Sequence, residues 1–118
     1  IYATKAALQE GIVAGGGVAL LDASYSIAPE NEYEEILLEA IKAPYATILD
    51  NAALEHYESK KRGFGIDVVN NKEVDMIKAG IIDPVLVTKT ALKNAVSVVN
   101  TIFSADCVIS NVRINAGN

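Results

Sequence analysis

The stretch EGIVAGGGVALLDASYS, residues 10–26, places three consecutive glycines between a short apolar run and an amphipathic pattern. After the glycines, apolar residues recur at the spacing of a helix, at Val18, Leu21, Tyr25 and Ala28. Pro29 ends this segment because proline lacks an amide donor and restricts the residue before it. The stretch therefore predicts a tight glycine turn that opens a short helix.

The glycine run matches neither of the common phosphate-binding motifs. A P-loop needs Lys followed by Ser or Thr after its last glycine, and Val18 stands there instead. The dinucleotide pattern G-x-G-x-x-G fails because Leu20 occupies the place of its third glycine. Spacing alone leaves two interpretations: a tight turn between two helices, or glycine backbone that faces a ligand at a helix N-terminus.

Helical patterns lie on both sides of this stretch. The chain opens with IYATKAALQE, an alanine-rich pattern with no capping residue ahead of it, and we therefore expect structural sequence to precede Ile1 in a longer protein. Asn31 and Glu34 predict a helix N-terminus, followed by an apolar stripe through Ile41. Pro44 interrupts the continuing pattern, so we expect two helices to meet there.

The second half predicts short extended runs and then a long helix. After a polar loop over residues 55–62, residues 66–69 and 81–82 are expected to pair as a small antiparallel hairpin around a brief helix over residues 72–78, capped by Asn71. Asp83 and Pro84 predict the start of the longest helix, with Asp83 as its N-cap and a wide apolar face suited to the centre of a bundle. The alternating tail DCVISNV, residues 106–112, predicts a C-terminal strand that needs a partner from another molecule.

The predicted fold class is therefore mainly α, a helical bundle with a small β-hairpin and a C-terminal strand, in a single domain over residues 1–118. Its net charge of −5 gives no electrostatic footprint for nucleic acid or an anionic membrane surface, and we expect neither as a partner. One cysteine excludes an internal disulfide. No cluster has the spacing of a metal site or of a nucleophile with its base, so neither class of enzyme is expected.

Five blocks, in order along the chain, resemble the C-terminal part of the group I chaperonin family, the Hsp60 type of bacteria, mitochondria and plastids. They are ATKAALQEGIVAGGGVALL (3–21), EAIKAPYATIL (39–49), GFGID (63–67), MIKAGIIDPVLVTKTALKNAVSVV (76–99) and ADCVIS (105–110). The resemblance implies the C-terminal half of an equatorial ATP-binding domain, a partial domain that N-terminal sequence completes. It also implies a ring-forming homo-oligomer in the full-length parent, in bacterial cytoplasm or an organellar matrix, with unfolded proteins and a co-chaperonin bound through domains absent here.

The resemblance also implies six residues on the wall of the family's ATP site. Gly16 matches a glycine whose backbone lies against the nucleotide, and Asp83 matches an aspartate that takes the ribose hydroxyls. The residues implied at the adenine end are Ile81, Asp67, Val68 and Val69. Many members have asparagine and two alanines where this chain has residues 67–69, so here charge and bulk are added beside the base.

The family's phosphate-binding loop, its magnesium aspartate and the aspartate that orients the attacking water come from N-terminal sequence that does not occur in this chain. We therefore expect the parent to be an ATPase and this chain alone to bind ATP feebly, without hydrolysis. The segment over residues 51–63 is shorter than usual and Ala46 replaces a frequent basic residue, which weakens the expectation of a double ring. The alternative is a stand-alone helical module without ATPase activity that self-associates, as a dimer, through its strand and its apolar helix face.

Overall fold

The structure is a computed structural model that describes the backbone of residues 1–116 and the side chains of residues 1–105. The helices are α1 (Tyr2–Glu10), α2 (Val18–Ser26), α3 (Glu32–Ala40), α4 (Ala43–Asn51) and α5 (Val85–Ala116). The strands are β1 (Ile12–Ala14), β2 (Phe64–Asp67), β3 (Lys72–Asp75) and β4 (Ile82–Pro84). The prediction of a mainly α fold with small β elements is confirmed.

The start of α3 and the break before α4 follow the sequence prediction. The Asn31 side chain accepts a hydrogen bond from the Glu34 backbone amide at 3.0 Å, which satisfies one of the free donors of the first turn. Two turn residues separate α3 from α4, and Pro44 lies in the first turn of α4, where its missing amide donor costs nothing.

The strands form two separate antiparallel pairs, and the predicted pairing is wrong. β1 pairs with β4, with Val13 opposite Asp83, whereas β2 pairs with β3, with Gly65 opposite Val74. The predicted helix over residues 72–78 is also wrong, because its first four residues form β3. Asn71 has a φ of 49° and reverses the chain, so this segment hydrogen-bonds to β2 instead; a helix of seven residues would be marginal by itself.

The core lies between α2, α4 and the β2–β3 pair. Val18, Leu49 and Met76 are the largest fully buried side chains, and they pack with Leu21 and Tyr45. Val18 and Leu21 come from the first turn of the helix that the glycine run opens. The core therefore fixes the glycine turn against α4 and the β2–β3 pair.

The apolar face of α5 predicted a helix at the centre of a bundle, and this prediction is wrong. Its 32 residues extend about 48 Å at the usual rise. The first part of the helix packs against α1 and β4. From Lys93 to Ala105 every residue is exposed, because no other described element reaches that part of the helix. Within the residues that the structure describes, no helix is long and apolar enough to cross a membrane.

The predicted C-terminal strand is wrong as well, because the backbone remains helical through Ala116. Neither glycine nor proline occurs between Val85 and Ala116 to break the helix. The helix satisfies its own backbone donors and acceptors, whereas a strand over residues 106–112 would need a neighbour that the described part of the chain does not offer.

Candidate functional site

The glycine turn joins a strand to a helix, so the predicted turn between two helices is wrong in its first element. β1 ends at Ala14, α2 begins at Val18, and Gly16 and Gly17 have φ values of 66° and 79°. Such left-handed backbone favours glycine. Among the described residues, no acceptor takes a hydrogen bond from the amide of Gly16 or of Gly17. Together with the first turn of α2, these amides form a local centre of positive potential.

Two of the three glycines pack closely against backbone, Gly17 more tightly than Gly15. A Cβ atom on Gly17 would lie 2.6 Å from the Tyr45 nitrogen, and one on Gly15 would lie 3.0 Å from the Ile81 carbonyl carbon. A Cβ atom on Gly16 would meet the Met76 methyl group at 2.9 Å, which is the end of a flexible side chain. The turn is thus held rigidly at both ends, with Gly16 between them.

The β1–β4 pair brings the glycine turn next to two of the other predicted site residues. The Gly15 amide donates to the Ile81 carbonyl oxygen at 2.8 Å. Asp83, in β4, lies opposite Val13, which is in β1 just before the glycine turn. Ile81 is half-buried and Asp83 is exposed. Gly16 therefore lies near Ile81 and Asp83 at the smaller strand pair, although more than 60 positions separate it from them in sequence.

Asp83 does not cap α5, contrary to the sequence prediction. The Val85 amide, the first of that helix, donates to the Gly11 carbonyl oxygen at 3.1 Å. The β1–β4 pairing places this carbonyl against the helix start, so a backbone acceptor does what the carboxylate had been expected to do. Among the described residues, no donor is hydrogen-bonded to the Asp83 carboxylate, which leaves its oxygens free for another donor.

Residues 67–69 lie at the end of β2 and in the turn that follows it. The Asp67 carboxylate accepts hydrogen bonds from the Asn70 side-chain amide at 2.6 Å and from the Val69 backbone amide at 3.0 Å. These bonds, the Asn70 one foremost, lower the pKa of Asp67 because they favour the charged form. Val68 and Val69 are exposed. The structure thus gives Asp67 a structural role in its own turn, and its contact with adenine remains a prediction.

Met76 links these segments, although the sequence analysis gave it no role. It is 1% exposed; its amide donates to the Gly63 carbonyl at 3.0 Å and its carbonyl accepts from the Ile81 amide at 2.9 Å. Gly65 packs on the same core, where a Cβ atom would lie 2.5 Å from the Val18 side chain. As the chain's single methionine in a segment read as helix, Met76 gave no sequence signal beyond its apolar character.

A second link joins α2 to the loop before β2. The Asp22 carboxylate accepts a hydrogen bond from the Gly63 amide at 2.7 Å. Neither the loop nor this contact could be found from spacing, since the two residues are 41 positions apart. In the described part of the chain, no three carboxylate, histidine or cysteine groups cluster as a metal site would require.

Comparison with known protein families agrees with the resemblance at the level of the family. The chain matches the model of the TCP-1/cpn60 chaperonin family over residues 1–113, which is almost its whole length. The chain therefore belongs to the TCP-1/cpn60 chaperonin family. This is a family of protein-folding chaperones that form oligomeric assemblies and act on unfolded proteins.

Proposed function

We propose that this chain is part of the equatorial domain of a group I chaperonin and supplies the adenosine side of its ATP site. The single observation that carries the proposal is the β1–β4 pairing, which places the glycine turn beside the segment from Ile81 to Asp83. A nucleotide needs polar backbone at one end, an acceptor for its ribose hydroxyls and an apolar surface for its base. This corner of the fold offers all three types of group.

Each residue has a role that its chemistry allows. The Gly16 and Gly17 amides, which have no hydrogen-bond acceptor among the described residues, lie at the start of α2, where an electron-rich or anionic group is favoured. The exposed Asp83 carboxylate is an acceptor without a bound donor among the described residues, as two ribose hydroxyls require. Ile81, half-buried beside the turn, offers an apolar contact for the base.

The same residues bind and orient, but they do not supply phosphoryl-transfer chemistry. Phosphoryl transfer needs groups that neutralise the phosphates, a magnesium site and a residue that positions the attacking water. The bound ATP brings the phosphoryl group, and the parent protein would supply the remaining groups from its N-terminal sequence. We therefore expect weak nucleotide binding and no turnover by the 118-residue chain.

A nucleotide titration followed by amide NMR tests this proposal directly. Addition of magnesium ATP or ADP to the chain should shift the amide signals of residues 15–18 and 81–83, with a weak, saturable response. Asp83→Ala removes a charged acceptor, a contact worth about 1.5–3 kcal/mol, and should weaken binding roughly tenfold or more. Glu55→Ala removes an exposed carboxylate elsewhere on the surface and serves as the matched control.

Several outcomes would contradict the proposal. Shifts confined to other parts of the chain, or an equal loss of affinity in the Asp83 and Glu55 variants, would remove the site from this corner. Absence of any shift at several millimolar nucleotide would do the same. Measurable ATP hydrolysis by the chain would show that the catalytic groups lie within it after all.

A second candidate function, self-association without ATPase activity, is favoured by the exposed face of α5. Val98, Ile102 and Phe103 are each more than half exposed, on a helix whose described C-terminal part has no neighbour. Such an apolar stripe is a typical helix–helix contact surface. Light scattering across a range of protein concentrations should show a dimer that Ile102→Ser abolishes; a monomer at the highest concentration would refute this candidate.

A further inference from the structure

An open groove of about 670 Å³ lies between the end of α2 and α3, on a different part of the surface from the glycine turn. Ile27, Pro29 and Ile36 are among its apolar lining residues, and Ile27 and Ile36 are 53% and 67% exposed. Isolated exposed apolar residues are ordinary, but these lie together in one concave surface. The groove is therefore suited to a partner that covers apolar side chains.

The lining of this groove is also acidic. Glu32, Glu35 and Glu39 all line it, and their spacing of three and four residues places them along one stripe of α3 with Ile36 among them. Lys42 is the one cation in the lining, and its ammonium is already 2.9 Å from the Glu39 carboxylate. In residues 1–105, whose side chains the structure describes, no cation lies within 4 Å of Glu32 or Glu35.

We infer that this groove is a docking site for a cationic amphipathic helix of a partner protein. Charge complementarity sets the sign of the partner, because two carboxylates with no cation of residues 1–105 within 4 Å flank the exposed Ile36. Apolar side chains of the partner helix would cover Ile27 and Ile36 while its lysines or arginines meet Glu32 and Glu35. This mode of recognition buries an apolar stripe and uses the charges for orientation.

The groove favours a helical partner over an extended one. An extended peptide usually binds by adding a strand to an exposed sheet edge, and only α2, α3 and their connecting residues line this surface up to the start of α4. The backbone hydrogen bonds of a helix are satisfied within the helix, so a helical partner needs only side-chain contacts to bind. From Glu32 to Glu39 the stripe extends about 10 Å at the helical rise, which matches cations at i, i+4 and i+7 on the partner.

This inference goes beyond the proposed nucleotide site and does not depend on it. The groove uses the last turn of α2 and the whole of α3, whereas the glycine turn lies at the first turn of α2. Loss of nucleotide binding in Asp83→Ala would leave the groove intact. Loss of peptide binding in a groove variant would likewise leave the nucleotide titration unchanged.

The test is binding of a labelled synthetic helix to the 118-residue chain, followed by fluorescence anisotropy. The peptide, roughly 14 residues long, carries Leu or Ile on one stripe and Lys at i, i+4 and i+7 beside it; a second peptide has Glu in place of each Lys. We expect the cationic peptide, but not the peptide with Glu, to bind saturably, and its affinity should fall severalfold when the salt concentration rises from about 50 to about 300 mM. The variant pair E32Q/E35Q should weaken binding by about 3- to 10-fold.

A control variant, E55Q, removes an exposed charge outside the groove and should change the affinity less than about twofold, whereas E35Q alone should weaken binding more than E55Q does. Ile36→Ser should weaken binding severalfold, because the apolar contact is lost at a residue whose exposure makes the variant harmless to folding. Equal effects of E35Q and E55Q, equal binding of both peptides, or no saturation up to about 1 mM peptide would overturn the inference. A salt-sensitive dimer without peptide that E32Q/E35Q abolishes would overturn it too, since the occupant would then be a second copy of the chain.

Discussion

Replacement of Gly17 by alanine should destabilise the fold far more than the loss of one ordinary surface glycine. Gly17 has a φ of 79°, and a Cβ atom there would lie 2.6 Å from the Tyr45 nitrogen and 2.8 Å from its Cα. Both contacts are with the backbone of α4, inside its first turns, where no side-chain rotation can relieve them. The substitution therefore forces α2 and α4 apart around the core.

The expected cost has two parts. A left-handed conformation costs a non-glycine residue about 1–2 kcal/mol. Overlap with a packed backbone adds about 1–3 kcal/mol, as for other overpacked sites. The sum of about 2–5 kcal/mol is a large fraction of the roughly 5–15 kcal/mol that stabilises a typical domain.

Gly80→Ala is the matched control, because Gly80 has a φ of 77° and a Cβ atom there would meet no atom within 4 Å. Gly80→Ala therefore has the cost of the left-handed conformation without the overlap with backbone atoms. Urea unfolding of both variants, followed by circular dichroism, should place Gly17→Ala about 1–3 kcal/mol below the control. If the two variants lose the same free energy of unfolding, the close approach of the glycine turn to α4 is not what the structure describes.

Three further measurements test other parts of the fold. Asn31→Ala removes the cap of α3 and should lower the free energy of unfolding by about 1 kcal/mol, whereas an aspartate there should retain most of it; equal losses in the two would argue against the cap. Leu49→Ala, at a site 1% exposed, should cost about 2–5 kcal/mol, and Leu8→Ala, at a site 84% exposed, less than about 0.5 kcal/mol; a reversed order would misplace the core. Hydrogen bonding lowers the pKa of Asp67 in the folded state, so its carboxylate contributes to the free energy of unfolding above the unfolded pKa, and this contribution is lost as the pH falls from about 4 through the folded pKa. Asn70→Ala should raise the pKa of Asp67 in a carboxyl NMR titration, and an unchanged pKa would refute the assigned cause.

The elements that the sequence predicted correctly are those that local chemistry decides. The N-cap Asn31, the break at Pro44 and the helix that follows the glycine run each depend on a few adjacent residues. The family could also be found from ordered local blocks, because they span almost the whole chain. The residues of the candidate site came from the same resemblance and remain predictions.

The elements that the sequence missed depend on pairing between segments, most of which are distant in sequence. Residues 72–75 form a strand because β2 is beside them, and residues 12–14 form one because β4 is beside them. Asp83 does not cap α5 because the Gly11 carbonyl oxygen accepts the hydrogen bond of the first helix amide, that of Val85. The partners β1 and β4, and likewise Gly11 and Val85, are more than 60 positions apart and lie outside any window that periodicity can examine. By contrast, β2 and β3 are neighbours in sequence, and their pairing depends on the reversal of the chain at Asn71.

The sequence by itself thus determined where α2, α3 and α4 begin and to which family the chain belongs, since propensity, capping and glycine or proline act over a few residues. Only the tertiary structure decided which strands pair, that α5 leaves its apolar face exposed, and that Gly16, Ile81 and Asp83 share one corner. Hydrogen bonds between strands and the burial of side chains join residues more than 60 positions apart, and their free energy depends on the whole fold.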